Sequence, residues 1–82
     1  MAKFYTYIVY SLKLDKFYIG STNNLERRLQ DHNRGKSAFA KQGMPWEIKY
    51  FEEFNSRKEA YKRELEIKNR KDRNYIKKLV SQ

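Results

Sequence analysis

Two short segments near the N-terminus constrain the fold more than any other feature of this sequence. Residues 4–11 (FYTYIVYS) and 17–21 (FYIGS) are rich in aromatic and β-branched side chains, which favour strands. The short charged stretch 12–16 (LKLDK) separates them, and two such runs joined by a short connection are typical of a β-hairpin. We therefore predict two antiparallel strands at the start of the chain.

A helix is expected directly after the hairpin. Asn23 is placed to cap a helix over about residues 24–34, because Glu26 follows three positions later. Gly35 is a suitable stop for this helix.

A loop and a third strand come next. Residues 36–45 have the composition of a basic, mobile loop that carries one aromatic side chain, Phe39, and ends at Pro45. Residues 46–54 then begin with alternating apolar and charged side chains, and this period-two pattern predicts a strand.

Two more helices complete the chain. Ser56 and Glu59 form a capping box at the start of a helix that is predicted to run to about residue 71, and a short helix is expected from about Asn74. The predicted order is β-β-α-β-α-α in one domain over residues 1–82. The fold class is α/β (α+β), with a small, mainly antiparallel three-stranded sheet flanked by helices.

Composition excludes several classes of protein. Eighty-two residues suit one small domain, and the absence of cysteine excludes disulfides and cysteine-based zinc sites. No apolar run reaches the ~20 residues that a membrane span needs, and the N-terminus lacks the apolar stretch of a signal peptide. We expect a soluble, cytoplasmic protein.

The charge balance indicates a polyanionic partner. Nineteen basic and ten acidic residues give a net charge of +9, of which +6 belongs to residues 57–82. A surplus of this size on a small body attracts nucleic acid. Neither helical stretch has the wide apolar face of a membrane-surface helix, so we expect nucleic acid and no membrane.

One acidic residue of the second predicted helix has an unusual position. At about 100° per residue, Glu64 lies in the middle of an apolar face. The other members of that face are Ala60, Tyr61, Leu65 and Ile67. Burial of an unpaired carboxylate is costly, so Glu64 needs either a structural partner, such as an arginine elsewhere in the fold, or a metal ion.

The first predicted helix carries a possible phosphate-handling pair. The same helical spacing places Arg28 and His32 one turn apart beside the core-facing stripe, whereas Arg27 faces solvent. A guanidinium offers fixed charge and an imidazole offers proton transfer. The alternative for His32 is an ordinary surface or capping role.

Gly20 lies inside a predicted strand, where a glycine weakens the strand unless a ligand or another backbone approaches closely or a bulge is needed. A phosphate arriving at Gly20 would meet little obstruction and would lie near the N-terminus of the first helix.

These residues together resemble the GIY-YIG nuclease family, which includes the N-terminal incision domain of bacterial repair excinucleases and small stand-alone bacterial proteins. The resemblance rests on Tyr5-Thr6-Tyr7, on Tyr18-Ile19-Gly20 after ten intervening residues, and on the run from Ser21 to His32-Asn33. Glu59-Ala60, Arg63-Glu64 and Ile67-Lys68 extend it to the C-terminal half. The first motif reads Tyr-Thr-Tyr here in place of Gly-Ile-Tyr, and Ser21 stands where the excinuclease subgroup has lysine. The family's C-terminal asparagine has only Asn69 and Asn74 as candidates.

The resemblance implies hydrolysis of a phosphodiester with one Mg²⁺ or Mn²⁺ ion. It implies five catalytic residues: Tyr7, Tyr18, Arg28, His32 and Glu64. Glu64 would hold the metal, Tyr7 would act as general base directly or with help from His32, and Arg28 would stabilise charge on the phosphoryl oxygens. We also predict five substrate-binding residues: Gly20, Ser21, Lys36, Lys41 and Lys68.

The sequence therefore predicts a DNA endonuclease of low sequence specificity, acting on branched or damaged DNA in repair or recombination. DNA is expected in preference to RNA, and the oligomeric state is left open. Two alternatives stay open: a nucleic-acid-binding module that keeps the fold without cutting, with Tyr10 or Phe39 stacking on bases, and a basic protein-interaction domain.

Overall fold

The computed structural model of the chain describes residues 2–35, 37–70 and 72–81. Three strands form one antiparallel sheet: β1 (Phe4–Ser11), β2 (Lys16–Thr22) and β3 (Trp46–Phe54). The predicted hairpin pairs β1 with β2, and β3 pairs with the other side of β1. Because β1 is the central strand, its alternate side chains supply both faces of the sheet.

Four helices cover the sheet in the described part of the chain: α1 (Leu25–Asn33), α2 (Ala38–Gln42), α3 (Arg57–Arg70) and α4 (Arg73–Val80). The predicted order β-β-α-β-α-α is confirmed, with the short α2 added between α1 and β3. The predicted end of the long helix near Lys71 falls outside the described residues.

Helix α2 corrects the prediction of a loop over residues 36–45. Its backbone is capped by Ser37, whose Oγ accepts a hydrogen bond from the Ala40 amide at 3.1 Å. Tertiary contact stabilises it, because the Trp46 indole Nε1 donates to the Ala40 carbonyl at 2.8 Å. A five-residue helix is not stable in isolation, so composition alone could not indicate it.

The starts of two helices differ slightly from prediction. The cap of α1 is Asn24 and not Asn23, since the Asn24 side chain accepts from the Arg27 amide at 3.0 Å. Helix α4 begins at Arg73 with Asp72 as its cap. Ser56 does cap α3 as predicted, because its Oγ accepts from the Glu59 amide at 3.2 Å.

Strand β3 contains a bulge that its sequence pattern does not reveal. A regular strand would place Trp46, Ile48 and Tyr50 on one face. Consecutive residues of β1 instead pair with Tyr50 and Ile48, which leaves Lys49 as an extra residue in β3. Trp46 and Ile48 therefore lie on one face of the sheet and Tyr50 on the other.

The two faces of the sheet bury different side chains. The face under α3 and α4 has an aliphatic core: Ile8, Ile19, Ile67 and Leu79. The face under α1 and α2 has an aromatic core of Tyr7, Val9 and Trp46, with Tyr18, Leu25 and Leu29 packed against it. The predicted site residues of β1, β2 and α1 lie on or beside this second face.

Candidate functional site

Tyr7 lies at the centre of the aromatic face, with only 1% of its surface exposed. It pairs across the hairpin with Gly20. A Cβ atom on Gly20 would lie 2.5 Å from the Tyr7 hydroxyl oxygen and 2.7 Å from its ring carbon Cζ. The Tyr7 ring therefore requires a glycine at position 20. The sequence did not suggest this reason, because it depends on a neighbour in another strand.

Arg28 reaches the Tyr7 hydroxyl from α1. Its Nε–H donates to Tyr7 Oη at 3.2 Å. Burial raises the pKa of Tyr7 above the ordinary value, and the hydrogen bond and charge of Arg28 act against this rise. Tyr7 is thus a neutral phenol at neutral pH, with its oxygen held by a guanidinium.

His32 and Tyr18 complete the cluster. The His32 ring lies 4.9 Å from the Tyr18 ring and 6.2 Å from the Tyr7 ring, centroid to centroid. His32 Nδ1 is 3.0 Å from the Arg28 carbonyl oxygen. A carbonyl can only accept, so Nδ1 carries the proton in this contact and Nε2 is left as the proton acceptor of the neutral ring.

Glu64 is buried as the helical spacing predicts, with 8% of its surface exposed. Ala60 and Ile67 are buried on the same face of α3, but Tyr61 and Leu65 are exposed, so Glu64 lies at the edge of the buried face and not in its middle. Its partner is Lys68, whose Nζ lies 2.6 Å from Glu64 Oε2. This corrects the expected arginine partner, although the i, i+4 spacing alone could have indicated Lys68.

Glu64 belongs to the same site as the tyrosines. Its charge is near enough to raise the pKa of Tyr7, and the ammonium of its partner Lys68 lies 5.9 Å from the centroid of the Tyr18 ring. The described residues contain no group of three His, Cys, Asp or Glu side chains that could hold a metal ion. Glu64 offers a single carboxylate ligand. This fits Mg²⁺ or Mn²⁺, because these ions take oxygen ligands and fill their remaining coordination positions with water and phosphate.

A cleft of about 240 Å³ opens beside this cluster. It is lined by Tyr18, Arg28, Asp31, His32, Ser37, Phe39 and Ala40. Phe39 is 40% exposed and its ring lies 6.3 Å from the Tyr18 ring. The sequence singled out Phe39 only as an aromatic side chain in a loop, since nothing local shows that α2 carries it to the cleft.

Asn33 and Trp46 hold the wall of the cleft in place. The Asn33 side chain accepts from the Trp46 amide at 2.6 Å and donates to the Trp46 carbonyl at 3.1 Å. Trp46 in turn holds α2 through Ala40. Sequence reasoning missed both residues as parts of the site, because their contacts join segments 13 residues apart.

The predicted substrate-binding residues lie at different distances from the cluster. Ser21 is half-buried in β2, beside Gly20. Lys68 contacts Glu64, and Lys41 is exposed on α2. Lys36 is outside the described residues. Asn69 and Asn74, the candidates for a C-terminal asparagine, are both exposed.

Within the described residues, no helix has both the length and the apolar character needed to cross a membrane.

Residues 3–78 match the GIY-YIG catalytic domain family. The chain is 46% identical over 69 residues to a UPF0213 protein of Staphylococcus haemolyticus, and this alignment covers 83% of each chain. It is 43% identical over 65 residues to a UPF0213 protein of Clostridium perfringens, covering 78% of this chain and 69% of the relative.

A solved structure of a UPF0213 protein has a similar fold. The solution NMR structure of a UPF0213 protein from Bacillus halodurans superposes with a TM-score of 0.59 at 32% identity, covering 96% of this chain and 83% of the other. The family match extends over nearly the whole chain and includes every residue of the Tyr7 cluster. The chain therefore belongs to the GIY-YIG family.

Proposed function

We propose that this protein is a divalent-metal-dependent endonuclease that hydrolyses phosphodiester bonds of DNA with low sequence specificity. The observation that carries the proposal is that Arg28, which lines the cleft, donates a hydrogen bond to Tyr7, while the buried carboxylate of Glu64 lies close enough to raise the pKa of Tyr7. A phenol held by a guanidinium, next to a buried carboxylate, is an arrangement that a purely structural role does not require. The family membership supports the same reaction class.

In this proposal Glu64 holds a single Mg²⁺ or Mn²⁺ ion. When bound, the ion supplies positive charge that polarises a phosphate oxygen. The guanidinium of Arg28 stabilises charge that develops on the phosphoryl oxygens. Tyr18 orients the scissile phosphate or the attacking water from the wall of the cleft.

The phenolate form of Tyr7 accepts the proton of the attacking water, with His32 assisting through Nε2. As the new P–O bond forms, the P–O bond to the leaving oxygen breaks, and that oxygen takes up a proton from solvent. Because burial raises the pKa of Tyr7, only a small fraction is phenolate at neutral pH. Arg28 supplies part of the positive charge that a phenolate needs. The cleavage rate should therefore rise with pH between about 6 and 9, since the fraction of the working base increases.

The substrate is recognised mainly through its phosphates. We propose that Ser21, Lys36, Lys41 and Lys68 contact the nucleic acid. Gly20 is removed from the predicted set, because the Tyr7 ring fills the space next to it. Phosphate contacts position a protein without reading sequence, which suits a chain of this size and a net charge of +9. Binding to unrelated duplexes should weaken steeply with salt, and a single-sequence preference or a flat salt response would contradict this part of the proposal. The preference for DNA, a role in repair and a cytoplasmic location are further parts of the proposal.

A non-cleaving nucleic-acid-binding module is the second candidate. The observation that favours it is the exposed ring of Phe39 at the mouth of the cleft, because aromatic rings stack on unpaired bases. Tyr10 is less suited to stacking, since it is half-buried against Phe17 and its hydroxyl donates to Asp15.

The experiment that tests the proposal is cleavage of a mixed panel with Mg²⁺ or Mn²⁺. The panel contains supercoiled plasmid, branched DNA, single strands and structured RNA. Glu64→Gln is compared with Glu66→Gln, an exposed acid on the same helix, and Tyr7→Phe is compared with Tyr61→Phe.

Metal-dependent cutting that is lost in Glu64→Gln and Tyr7→Phe and kept in both controls is the expected result. No cutting of any substrate by wild type, with equal binding by all five proteins, would favour the binding module instead.

A further inference from the structure

The ion pair between Lys68 and Glu64 joins two side chains of very different exposure. Glu64 is the only buried acidic residue in the described ranges, and 10% of its side chain is exposed. The Lys68 side chain is 43% exposed. The carboxylate is thus fixed by its surroundings, while the lysine reaches it from solvent on a flexible stem.

The same ammonium also lies over the ring of Tyr18. It lies 5.9 Å from the centroid of the Tyr18 ring, and Tyr18 lines the cleft with Arg28 and His32. Because the lysine stem is flexible, it can carry the charge away from Glu64 to another anionic partner without movement of the helix.

A divalent ion on Glu64 would conflict with Lys68. Two cations a few ångströms apart repel each other, and the repulsion is stronger at a partly buried site than in water. In the metal-free protein, the lysine neutralises a carboxylate that would otherwise be buried without a partner. Removal of the lysine should therefore leave Glu64 a stronger ligand for any other cation.

We propose that Lys68 is a resident counter-ion that competes with the divalent metal for Glu64 and moves to a phosphate when nucleic acid binds. This inference rests on the function proposed above. Its consequence is a thermodynamic coupling: nucleic acid draws Lys68 away from Glu64 and so strengthens metal binding, and by linkage the metal strengthens nucleic-acid binding by the same factor. Lys68 is in this sense a positioning residue that links two binding events.

The first test measures binding of Mn²⁺ alone to the free protein, by electron paramagnetic resonance or titration calorimetry. We expect Lys68→Met to bind Mn²⁺ about tenfold more tightly than wild type, within the usual range of coupling between sites. Lys68→Arg keeps the charge and should stay close to wild type. Lys62→Met, which removes an exposed lysine of the same helix, is the matched control for the loss of one positive charge.

A merely structural role for Lys68 gives the opposite result. If the lysine only stabilises α3, Lys68→Met would lower the free energy of unfolding and leave Mn²⁺ binding unchanged or weaker. Either of these binding results, or equal tightening in Lys62→Met, would overturn the inference.

The second test repeats the Mn²⁺ titration with a phosphorothioate oligonucleotide that resists cleavage. Wild type should bind Mn²⁺ more tightly in the presence of the oligonucleotide, and this gain should shrink about tenfold in Lys68→Met because its lysine no longer has to be displaced. An equal gain in both proteins contradicts the coupling.

The two proposals fail in different ways. If Mn²⁺ binds wild type and Lys68→Met with the same affinity, the counter-ion role is wrong and the metal-dependent nuclease stands. If neither protein binds Mn²⁺ saturably, with or without the oligonucleotide, both the counter-ion role and the metal-dependent mechanism are wrong.

Discussion

The two faces of the sheet are made from alternate residues of the same central strand, and their buried hydrophobic clusters differ: one is entirely aliphatic, whereas the other includes Tyr7 and Trp46. Below β1, Ile8 packs with Ile67 and other aliphatic residues. Above β1, Tyr7 packs with Trp46 and carries a hydroxyl that is hydrogen-bonded to Arg28. The first face is closed by α3 and α4, and the second opens into a cleft.

The difference shows how a chain of 82 residues combines a stable core with a polar cleft. Aliphatic side chains stabilise the fold without needing polar partners. Buried hydroxyl and imidazole groups need matched hydrogen bonds, and the aromatic face provides them from α1. Variants on the two faces should therefore separate activity from stability.

The largest expected effect is on the aromatic face. Arg28→Ala should lower the cleavage rate by about 10²–10³-fold, because a lost donor to developing phosphoryl charge costs about 3–4 kcal/mol of transition-state stabilisation. Stability should fall by about 1–3 kcal/mol at most, because the buried Tyr7 hydroxyl loses its hydrogen-bond partner although Arg28 itself is exposed.

The control is Arg27→Ala, which removes the neighbouring exposed arginine. Steady-state cleavage and urea unfolding of both variants make the measurement. An equal loss of activity in the two variants would show that the arginines act only through general charge.

The aliphatic face should give the reverse pattern. Ile67→Ala truncates a side chain that is only 1% exposed among Ile8, Ile19 and Leu79, and such truncations cost about 2–5 kcal/mol. Urea unfolding at low temperature measures the loss, and the folded fraction should keep its cleavage rate. Leu65→Ala on the exposed side of α3 is the control and should cost less than about 1 kcal/mol. A large drop in the rate of folded Ile67→Ala would break the separation of the two faces.

A substitution at Gly20 tests the contact between Gly20 and Tyr7, on which both stability and activity depend. Gly20→Ala places a methyl group 2.5 Å from Tyr7 Oη, so the ring must move away from Arg28. We expect a loss of about 2 kcal/mol in stability from overpacking, together with slower cleavage.

The double variant Gly20→Ala/Tyr7→Phe should lose less stability than the sum of its parts, because it lacks the oxygen that makes the closest contact. Strict additivity, measured by urea unfolding of all four proteins, would argue against this contact. Ser21→Ala is the neighbouring control.

The smallest expected effect is on the free energy of unfolding at alkaline pH. Burial and the hydrogen bond to Glu52 raise the pKa of Tyr50 to about 12, above the ordinary value of about 10. The unfolded chain therefore loses this proton first, and the stabilisation is complete below about pH 10 and is lost as the pH rises towards 12.

Tyr50→Phe should make the fall of the unfolding free energy between about pH 10 and pH 12 less steep, whereas Tyr61→Phe, on the exposed face of α3, should not. Tyr7→Phe should act in the same direction as Tyr50→Phe, because burial also raises the pKa of Tyr7. An unchanged slope in Tyr50→Phe would show that other groups cause the alkaline loss.

Much of the fold was predictable from the chain itself. The hairpin, the three strands and the long helices follow from residue types and their periodicity, which act over a few neighbouring positions. The burial of Glu64 and the position of Arg28 beside the core-facing stripe of α1 follow from helical spacing in the same way. The family motifs then place Tyr7 and Tyr18 in one site.

Other features depended on residues far apart in the chain. Helix α2 needs Trp46 from the next strand, and the bulge at Lys49 is visible only in the pairing of β3 with β1. The tyrosine above Gly20 comes from the partner strand. None of these contacts leaves a local pattern.

The sequence by itself thus determined which segments are strands and helices, the net charge and the chemistry of the candidate side chains. Only the tertiary structure decided that Phe39 borders the cleft, that Asn33 holds Trp46, and that Tyr7 lies against Gly20. The physical reason is the distance along the chain over which each effect acts. Propensity and periodicity act between neighbouring residues, whereas a site is assembled by packing that brings distant segments into contact.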